Sequence, residues 1–358
     1  MPAGMIAGER IRALAGGTVP GIAVVVVGPE GLRAAGTAGL ADIGAHRPAS
    51  LSMVCPWFSM TKIVTATAAV RLAERGVLDL DAPVDRYVPA LARVRPRQWV
   101  SRVTVRHLLS HSAGLPNPIP VRWIHRADQP APDPDVFLGA LLARHGRLRF
   151  EPGSRSRYSN LGPLVVAAAL AATAGQPFIE LVRQEILHPL GMDTTAFTYT
   201  PQARSLAAVG YHPRRSPTRL LLPRWAIGEP AGRWISLRPF LVDGAAYGGL
   251  VGPADELARF LRLHLQDGEL DGTRILSPQA AAAMRQITMP GRRYDLGLGW
   301  FRPASQRDAD PPFVEHLGGG AGFFNLIRIY PTRGVGVAVM GNATTYNIDA
   351  VARLALTH

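Results

Sequence analysis

Apolar and polar residues follow two different patterns along this chain, one near its ends and one in its middle. Short apolar runs near the ends indicate strands, and the first run, at 21–27, is followed by a Gly-Pro-Glu-Gly turn and a second run at 32–37. This arrangement is typical of a hairpin, so the two strands are expected to pair antiparallel. Later runs predict strands at 294–302, 312–317, 323–330 and 335–341.

Helical patterns recur along the remaining chain. They predict helices at 3–15, 57–76, 104–114, 135–145, 177–192, 253–267, 277–286 and 347–356, with a nearly all-apolar helix starting at about 161. The helix at 57–76 contains the small residues Ala66, Ala68 and Ala69, which allow close packing on several sides. We therefore expect this helix to be central and buried.

Strands at both ends with helices between them favour an α+β fold, in which one antiparallel sheet is built from the two chain ends. We expect one unit over 1–358, with an α/β lobe from about 1–57 and 287–358. A mainly helical lobe, at about 58–286, is expected to be inserted between these parts.

Residues 199–246 show no regular pattern and mix arginines with tryptophans and leucines. So long an irregular segment in a compact domain is usually a functional loop or a disordered one. Its composition suits a lid over a site. A loop that touches a membrane or a partner, or a plain surface segment, stays open as an alternative.

Composition limits the function classes. The hydrophobic fraction of 47% is that of a globular protein, and the net charge of +13 raises the question of an anionic partner. The arginines are scattered rather than clustered in a basic block, so we expect no nucleic-acid partner. The single cysteine, Cys55, excludes an internal disulfide framework and a Cys-x-x-Cys site and favours a reducing compartment.

The N-terminal residues argue against export. Glu9 and Arg10 interrupt the apolar core that a signal peptide needs, and the apolar run at 21–27 is too short to span a membrane. We expect a cytoplasmic protein without stable membrane insertion. The oligomeric state stays open.

One lysine stands out among the basic residues. Lysine and arginine together number 39, and Lys62 is the only lysine. Arginine keeps its proton in proteins, whereas a desolvated lysine can lose it and act as a base. Lys62 follows Ser59 by three positions, which on a helix places both side chains on one face, about 5 to 6 Å apart at Cβ. The pair indicates a reactive serine, against the alternative of a lysine retained by chance at a solvated position.

Two further polar groups interrupt apolar surroundings. Tyr158 and Asn160 precede the apolar helix at about 161, where loop side chains can point into a cleft. Asn160 could instead be only the N-cap of that helix. His316 precedes the glycine-rich stretch 318–322, whose backbone could approach a ligand closely and present amide donors, or could simply form a hairpin bulge.

Other chemistries fit the sequence poorly. His107 and His111 are four residues apart but lack the glutamate of a His-Glu-x-x-His site, so we expect hydrogen-bonded histidines and no metal. No Gly-x-Ser-x-Gly elbow and no phosphate-binding Gly-x-x-x-x-Gly-Lys occurs, and Cys55 lacks a recognisable nucleophile signature. No cofactor is implied.

Taken together, these residues resemble the serine hydrolase superfamily of class C β-lactamases, DD-peptidases and family VIII esterases. The superfamily carries Ser-x-x-Lys, then Tyr-x-Asn, then Lys-Thr-Gly or His-x-Gly. The counterparts here are Ser59-Met-Thr-Lys62, Tyr158-Ser-Asn160 and His316-Leu-Gly318. The flanks RHLLSHSAGLP, PGSRSRYSNLG, HPLGMDTT, YGGLVGPADELARF and LGLGWF match as well, so the resemblance covers about 20–345 and implies a β-lactamase/DD-peptidase-like fold.

The resemblance implies a role for each matching residue. Ser59 would be the nucleophile that forms an acyl-enzyme, and Lys62 and Tyr158 would share the proton transfers, with the choice of base left open. The backbone N–H groups of Ser59 and Gly319 would bind the oxyanion. His316 would orient Tyr158 or the substrate, and Asn160 would help position Lys62 and the substrate. Gly318 and Asn117 would also position the substrate.

The third motif departs from the penicillin-binding pattern. His316 is mostly neutral at neutral pH, where a lysine would be a permanent cation for a carboxylate, and Leu317 removes a hydroxyl donor. We therefore expect a cytosolic esterase or acyltransferase acting on a small ester or amide. A β-lactamase or D-Ala-D-Ala peptidase is the alternative within the enzymes, and a non-catalytic ligand-binding homologue is the alternative outside them.

Overall fold

The computed structural model describes residues 4–16, 19–118, 120 and 123–358. Its strands, numbered in chain order, are β1 (Gly4–Met5), β2 (Gly21–Gly28), β3 (Gly31–Asp42), β4 (Arg47–Pro48), β5 (Cys55–Pro56), β6 (Ile124–Arg126), β7 (Tyr211–Pro213), β8 (Ile227–Ala231), β9 (Trp234–Leu237), β10 (Phe240–Val242), β11 (Val251–Gly252), β12 (Glu269–Leu270), β13 (Thr273–Arg274), β14 (Tyr294–Leu296), β15 (Phe301–Pro303), β16 (Val314–Gly320), β17 (Phe323–Tyr330) and β18 (Val335–Gly341). Its α-helices are α1 (Gly8–Ala15), α2 (Thr61–Glu74), α3 (Arg97–Val100), α4 (Val105–Leu109), α5 (Pro134–His145), α6 (Leu161–Ala174), α7 (Phe178–Val182), α8 (Pro201–Leu206), α9 (Ala245–Gly248), α10 (Ala254–Leu265), α11 (Pro278–Arg285) and α12 (Ile348–Ala352).

One large sheet joins the two ends of the chain. Its strand order is β1-β3-β2-β18-β17-β16-β15-β14, and β4 pairs with β3. The N-terminal strand β2 lies antiparallel to the C-terminal strand β18, with Val24 opposite Val339. The predicted α+β fold is confirmed. The short β1 departs from the antiparallel pattern because it pairs parallel with β3.

The apolar run in β2 is continuous because both faces of the sheet are covered. Alternate side chains of a strand point to opposite faces. Val24 and Val26 pack in a cluster that also contains residues of α1 and α12, whereas Val25 and Val27 pack in the main core, which contains residues of α2 and α10. Complete burial of one such side chain contributes about 1.5–3 kcal/mol. This strand therefore anchors both layers of helices.

Helix α2 is central and buried, as its small residues predict. Every residue from Thr61 to Val70 is buried, and α2 contacts α6, α9 and α11. The chain enters it through a 3₁₀ turn, Phe58–Met60, so Ser59 lies just before the α-helix rather than inside it.

Several predicted element boundaries are wrong. The first helix starts at Gly8, since Gly4–Met5 is a strand, and residue 3 lies outside the described residues. The single strand predicted at 294–302 is the hairpin of β14 and β15. The helix predicted at 177–192 consists of α7 and a π-helical turn, Arg183–Leu187.

The prediction that 199–246 is irregular is also wrong. This segment contains α8, a three-stranded antiparallel sheet of β7, β9 and β8, and β10, which pairs with β6. Apolar side chains such as Trp234 and Phe240 explain this order because they are buried. The division into two lobes stays a prediction, although α10, assigned to the helical lobe, packs on β2 and β18 of the sheet.

Within the described ranges, no single helix is long and apolar enough to cross a membrane. Helix α6 and the helical stretch Phe178–Leu187 reach that length and composition only together, and a bend of 82° separates them.

Candidate active site

The turn that carries Ser59 is held by two hydrogen bonds and contains one residue in a strained conformation. The side-chain amide of Asn325, on β17, donates to the Pro56 carbonyl at 2.7 Å. The backbone N–H of Trp57 donates to the Leu250 carbonyl at 2.7 Å. Phe58 has φ of 47°, a left-handed conformation that costs a non-glycine residue energy and that is found mainly at functional sites. The fold thus fixes the backbone that leads into Ser59.

Lys62 lies on the first turn of α2 beneath Ser59. Its side chain is 3% exposed, and Nζ lies 2.9 Å from Ser59 Oγ and 2.8 Å from the Tyr247 carbonyl oxygen. Burial holds the pKa of Lys62 well below its usual value. No acidic side chain in the described part of the chain pairs with it. A neutral amine at this distance can accept the proton of the serine hydroxyl.

Tyr158 packs against both Lys62 and Ser59. Lys62 Nζ lies 4.9 Å from the centre of its ring, and the phenol interacts with the Ser59 hydroxyl. Burial raises the pKa of Tyr158, and the contact with Ser59 lowers it by a smaller amount. The phenol is therefore protonated at neutral pH and can donate its proton.

His111 supports Tyr158, and sequence reasoning gave it no place in the site. The two ring centres are 4.5 Å apart, and His111 Nδ1 accepts the backbone N–H of Ser159 at 3.2 Å. Burial, with a further contribution from Lys62, lowers the pKa of His111 to about 3. His111 is thus a neutral platform for the tyrosine. The only indication of such a role in the sequence was that His111 lies within 106–116, one of the flanks that resemble the serine hydrolase superfamily.

His316 is buried on β16. It is 1% exposed, and its Nδ1 lies 2.8 Å from the Leu317 carbonyl, so Nδ1 carries the proton and Nε2 the lone pair. Nε2 has no hydrogen-bond partner among the described residues. Burial holds the pKa of His316 well below its usual value. This imidazole is therefore neutral at pH 7.

The glycines after His316 are required by close packing rather than by a bulge. β16 and β17 pair without a register shift through Gly320, so the hairpin-bulge alternative is wrong. A Cβ on Gly318 would lie 2.2 Å from the Trp57 carbonyl oxygen, and one on Gly320 would lie 2.3 Å from the Phe58 ring. Glycine lets this strand press against the turn that holds Ser59.

Asn160 occupies the N-cap position of α6, but its side chain makes no capping hydrogen bond. The hydroxyl of Ser159 accepts the Leu161 N–H at 3.1 Å instead. The backbone N–H of Asn160 donates to the side-chain oxygen of Asn117 at 3.0 Å, and Asn160 Oδ1 is buried without a partner in the described part of the chain. The N-cap alternative therefore does not account for this side chain.

A cavity of about 1120 Å³ lies above these groups. The predicted site residues that line it are Ser59, Asn117, Tyr158, His316 and Gly319. Lys62, Asn160 and Gly318 lie behind this surface, packed within the protein. The structure thus brings together residues that are far apart in the sequence.

Other lining residues were not predicted from the sequence. Four are exposed arginines, at 155, 157, 292 and 293, and another is Tyr294, whose ring centre is 6.2 Å from that of Tyr158. No residue of the segment 199–246 is among the described residues that line the cavity. The arginines were visible in the sequence, but no spacing connects 155–157 with 292–293.

Comparisons with known proteins agree with this geometry. A family model described as Beta-lactamase matches residues 9–357. The D-alanyl-D-alanine-carboxypeptidase/endopeptidase AmpH of Escherichia coli (strain K12) is 29% identical over 291 residues, 79% of this chain and 69% of AmpH. Esterase EstB of Burkholderia gladioli is 32% identical over 245 residues, 62% of this chain and 60% of EstB.

A solved structure shows the same fold. The octameric penicillin-binding protein homologue from Pyrococcus abyssi superimposes with a TM-score of 0.78 at 24% identity, covering 98% of this chain and 75% of that one. The β-lactamase/DD-peptidase-like fold implied by the sequence motifs is thereby confirmed.

Proposed function

Because the chain belongs to the Beta-lactamase family and is a serine hydrolase of that superfamily, we propose that it is a carboxylesterase or acyltransferase acting on a small ester or amide. The observation that carries the choice is the neutral, buried His316, which occupies the position where a penicillin-binding site has a lysine. A neutral imidazole offers no permanent charge to a substrate carboxylate. The similarity to EstB supports the same choice.

The proposed mechanism follows from the protonation states. Lys62, held neutral, takes the proton of Ser59 as Oγ attacks the carbonyl carbon, and the N–H groups of Ser59 and Gly319 bind the oxyanion. Tyr158, held protonated, donates to the leaving group as the bond to the acyl carbon breaks, and regains a proton from Lys62. Water or another acceptor then attacks the acyl-enzyme with these transfers reversed.

A D-Ala-D-Ala peptidase or β-lactamase is the second candidate. AmpH, whose printed name includes carboxypeptidase and endopeptidase, supports it through similarity over 79% of this chain. It requires that the substrate carboxylate be bound without a cation at position 316. A non-catalytic ligand-binding protein is a weaker candidate, since the reactive Ser59 and Lys62 are both present and in contact.

Release of p-nitrophenol from p-nitrophenyl butyrate tests the leading proposal. We expect Ser59→Ala to reduce turnover to background while the protein stays folded. The exposed Ser101→Ala variant is the matched control and should keep full activity. Faster turnover of nitrocefin or of an N-acyl-D-Ala-D-Ala peptide, again dependent on Ser59, would favour the second candidate. Equal rates for the native chain and Ser59→Ala on all three substrates would favour the binding protein.

Two further expectations belong to this proposal. A cytoplasmic location stays a prediction from the single cysteine, Cys55, which is a buried thiol with its pKa raised by burial to about 12. A lid role for the segment 199–246 stays a prediction without support from the cavity, because none of the described residues that line it belongs to this segment.

A further inference from the structure

Two chain segments bring positive charge to the cavity that contains Ser59. Arg155 and Arg157 directly precede Tyr158, and Arg292 and Arg293 directly precede Tyr294. All four arginines line the cavity and are exposed, so they lie at its opening. We call these four residues the arginine wall.

The two segments are fastened to each other. The hydroxyl of Ser156, between the first two arginines, donates to the Pro290 carbonyl at 3.1 Å. Gly291 permits this contact, since a Cβ there would lie 2.8 Å from Ser156 Oγ and 2.2 Å from the Tyr294 carbonyl oxygen. The arginine wall therefore rests on a defined contact between two loops.

A buried carboxylate fixes the second loop. Asp295 accepts the Gly291 N–H at 3.1 Å and pairs with Arg307 at 2.6 Å and with Arg302 at 3.2 Å. Arg307 also donates to the Gly291 carbonyl at 3.0 Å. The hydrogen bond from Arg307 makes the largest contribution to holding the pKa of Asp295 below its usual value. Asp295 thus shapes the loop while its own charge is already compensated.

The arginine wall itself is not compensated. No acidic residue is found among the described residues that line the cavity, and none of the four arginines forms an ion pair there. Glu151, the acidic residue nearest to Arg155 in the sequence, pairs with Arg102. Guanidinium groups recognise carboxylates through paired hydrogen bonds, and a group of like charges at a cleft attracts an anion before contact.

We infer that the arginine wall binds a carboxylate carried by the substrate, and that the chain prefers esters or amides with an anionic acyl or leaving group. This inference rests on the proposed function, because it concerns substrates of the Ser59 centre. The arginine wall supplies, at the opening of the cavity, the positive charge that position 316 lacks at its base. Ionic recognition is thereby separated from the reacting carbonyl.

Exposure sets the size of the effect. A single exposed ion pair changes an equilibrium by at most about fivefold, and salt weakens it. Because the wall presents several arginines, we expect a preference of about tenfold in kcat/KM for the anionic substrate at low salt. We expect most of this preference to disappear in about 0.5 M salt.

Matched ester pairs test the inference. One pair differs in the acyl part, p-nitrophenyl hydrogen adipate against p-nitrophenyl hexanoate, and the other in the leaving group, 3-carboxyphenyl against 3-carbamoylphenyl butyrate. The ratio of kcat/KM within each pair is measured for the native chain and for Arg292→Gln/Arg293→Gln. Arg12→Gln/Arg333→Gln, which removes two exposed arginines outside the cavity lining, is the charge-matched control.

The expected result is a high anionic-to-neutral ratio in at least one pair, lost in Arg292→Gln/Arg293→Gln and kept in the control. Ratios near one in both pairs, with Ser59-dependent turnover of the neutral esters, would overturn the inference and leave the proposed function intact. A ratio lowered equally by the control would also overturn it, because net charge alone would then be the cause. Absence of Ser59-dependent turnover of any ester would overturn both.

Discussion

The base and the opening of the cavity both carry basic residues, yet the two regions use them in opposite ways. At the base, Lys62 is 3% exposed, and burial lowers its pKa. At the opening, the arginine wall is exposed to water and forms no ion pair with any acidic residue that the structure describes. The comparison shows that burial determines whether a basic side chain serves as a proton acceptor or as a charge.

The choice of residue at each position follows from this difference. A lysine can give up its proton when it is desolvated, whereas a guanidinium keeps its charge. An exposed lysine would keep its charge in solvent and supply no base, and a buried arginine would place an uncompensated cation beside Ser59. The only lysine of the chain stands at the position where the proposed mechanism needs a basic group that has lost its own proton.

The strongest test of this contrast is Lys62→Arg. The variant keeps a basic residue but loses the removable proton, so we expect kcat/KM on p-nitrophenyl butyrate to fall by about 1000-fold or more. The exposed Arg75→Lys, at the end of the same helix, is the reverse substitution and should leave the rate unchanged. A folded Lys62→Arg protein with more than about a tenth of the native rate would contradict the base role.

The pH dependence of stability tests the lowered pKa of buried Lys62 directly. The pKa of Lys62 is lowered in the folded chain, so the unfolded chain binds a proton that the folded chain does not. Its contribution to stability is therefore present above the unfolded pKa of about 10.4 and is lost as pH falls through the folded pKa. We expect the free energy of unfolding of the native chain to rise with pH in this window, measured by urea titration.

Lys62→Met is the comparison for that titration. Without the ionisable amine, the rise between neutral pH and about 10 should be reduced. An identical slope in both proteins would show that Lys62 has an ordinary pKa. Buried His111 affects stability in a separate pH range. Because burial lowers its pKa to about 3, its contribution to the free energy of unfolding is lost as pH falls from about 6.5 towards 3.

The smallest effect is expected from the arginine wall on stability. Arg292 and Arg293 are exposed and form no ion pair within the described ranges, so Arg292→Gln/Arg293→Gln should change Tm by no more than about 2 °C. Differential scanning calorimetry measures this change. A fall of more than about 5 °C would show that these arginines support the loop. The arginine wall would then have a structural role, which contradicts its description as a purely electrostatic feature.

Sequence reasoning predicted those features of the molecule that local spacing determines. The three-residue interval between Ser59 and Lys62 predicts their contact, which the structure shows at 2.9 Å. The apolar strand runs and the small residues of α2 predict the sheet and the central helix, because a buried segment must be apolar on every covered face. Tyr158 and His316 were connected to this pair through the resemblance, since no local rule links positions so far apart.

The remaining features depend on contacts between distant segments. Loops 155–157 and 290–293 meet through Ser156 and Pro290, and neither stretch encodes its partner in a local pattern. The order within 199–246 arises because short strands pair with one another and bury Trp234 and Phe240. The need for glycine at 318 becomes visible only when the Trp57 carbonyl is placed against it.

The pairing of β2 with β18 has a consequence for the order of events during synthesis. Ser59 and Lys62 leave the ribosome well before His316, Gly319 and Asn325, the last of which holds the turn before Ser59. At about 5–20 residues per second, the interval between β2 and β18 is roughly 15 to 60 s. During most of that time Ser59 exists without the Gly319 N–H, so the site becomes reactive only when β18 pairs with β2 and β16 joins the sheet.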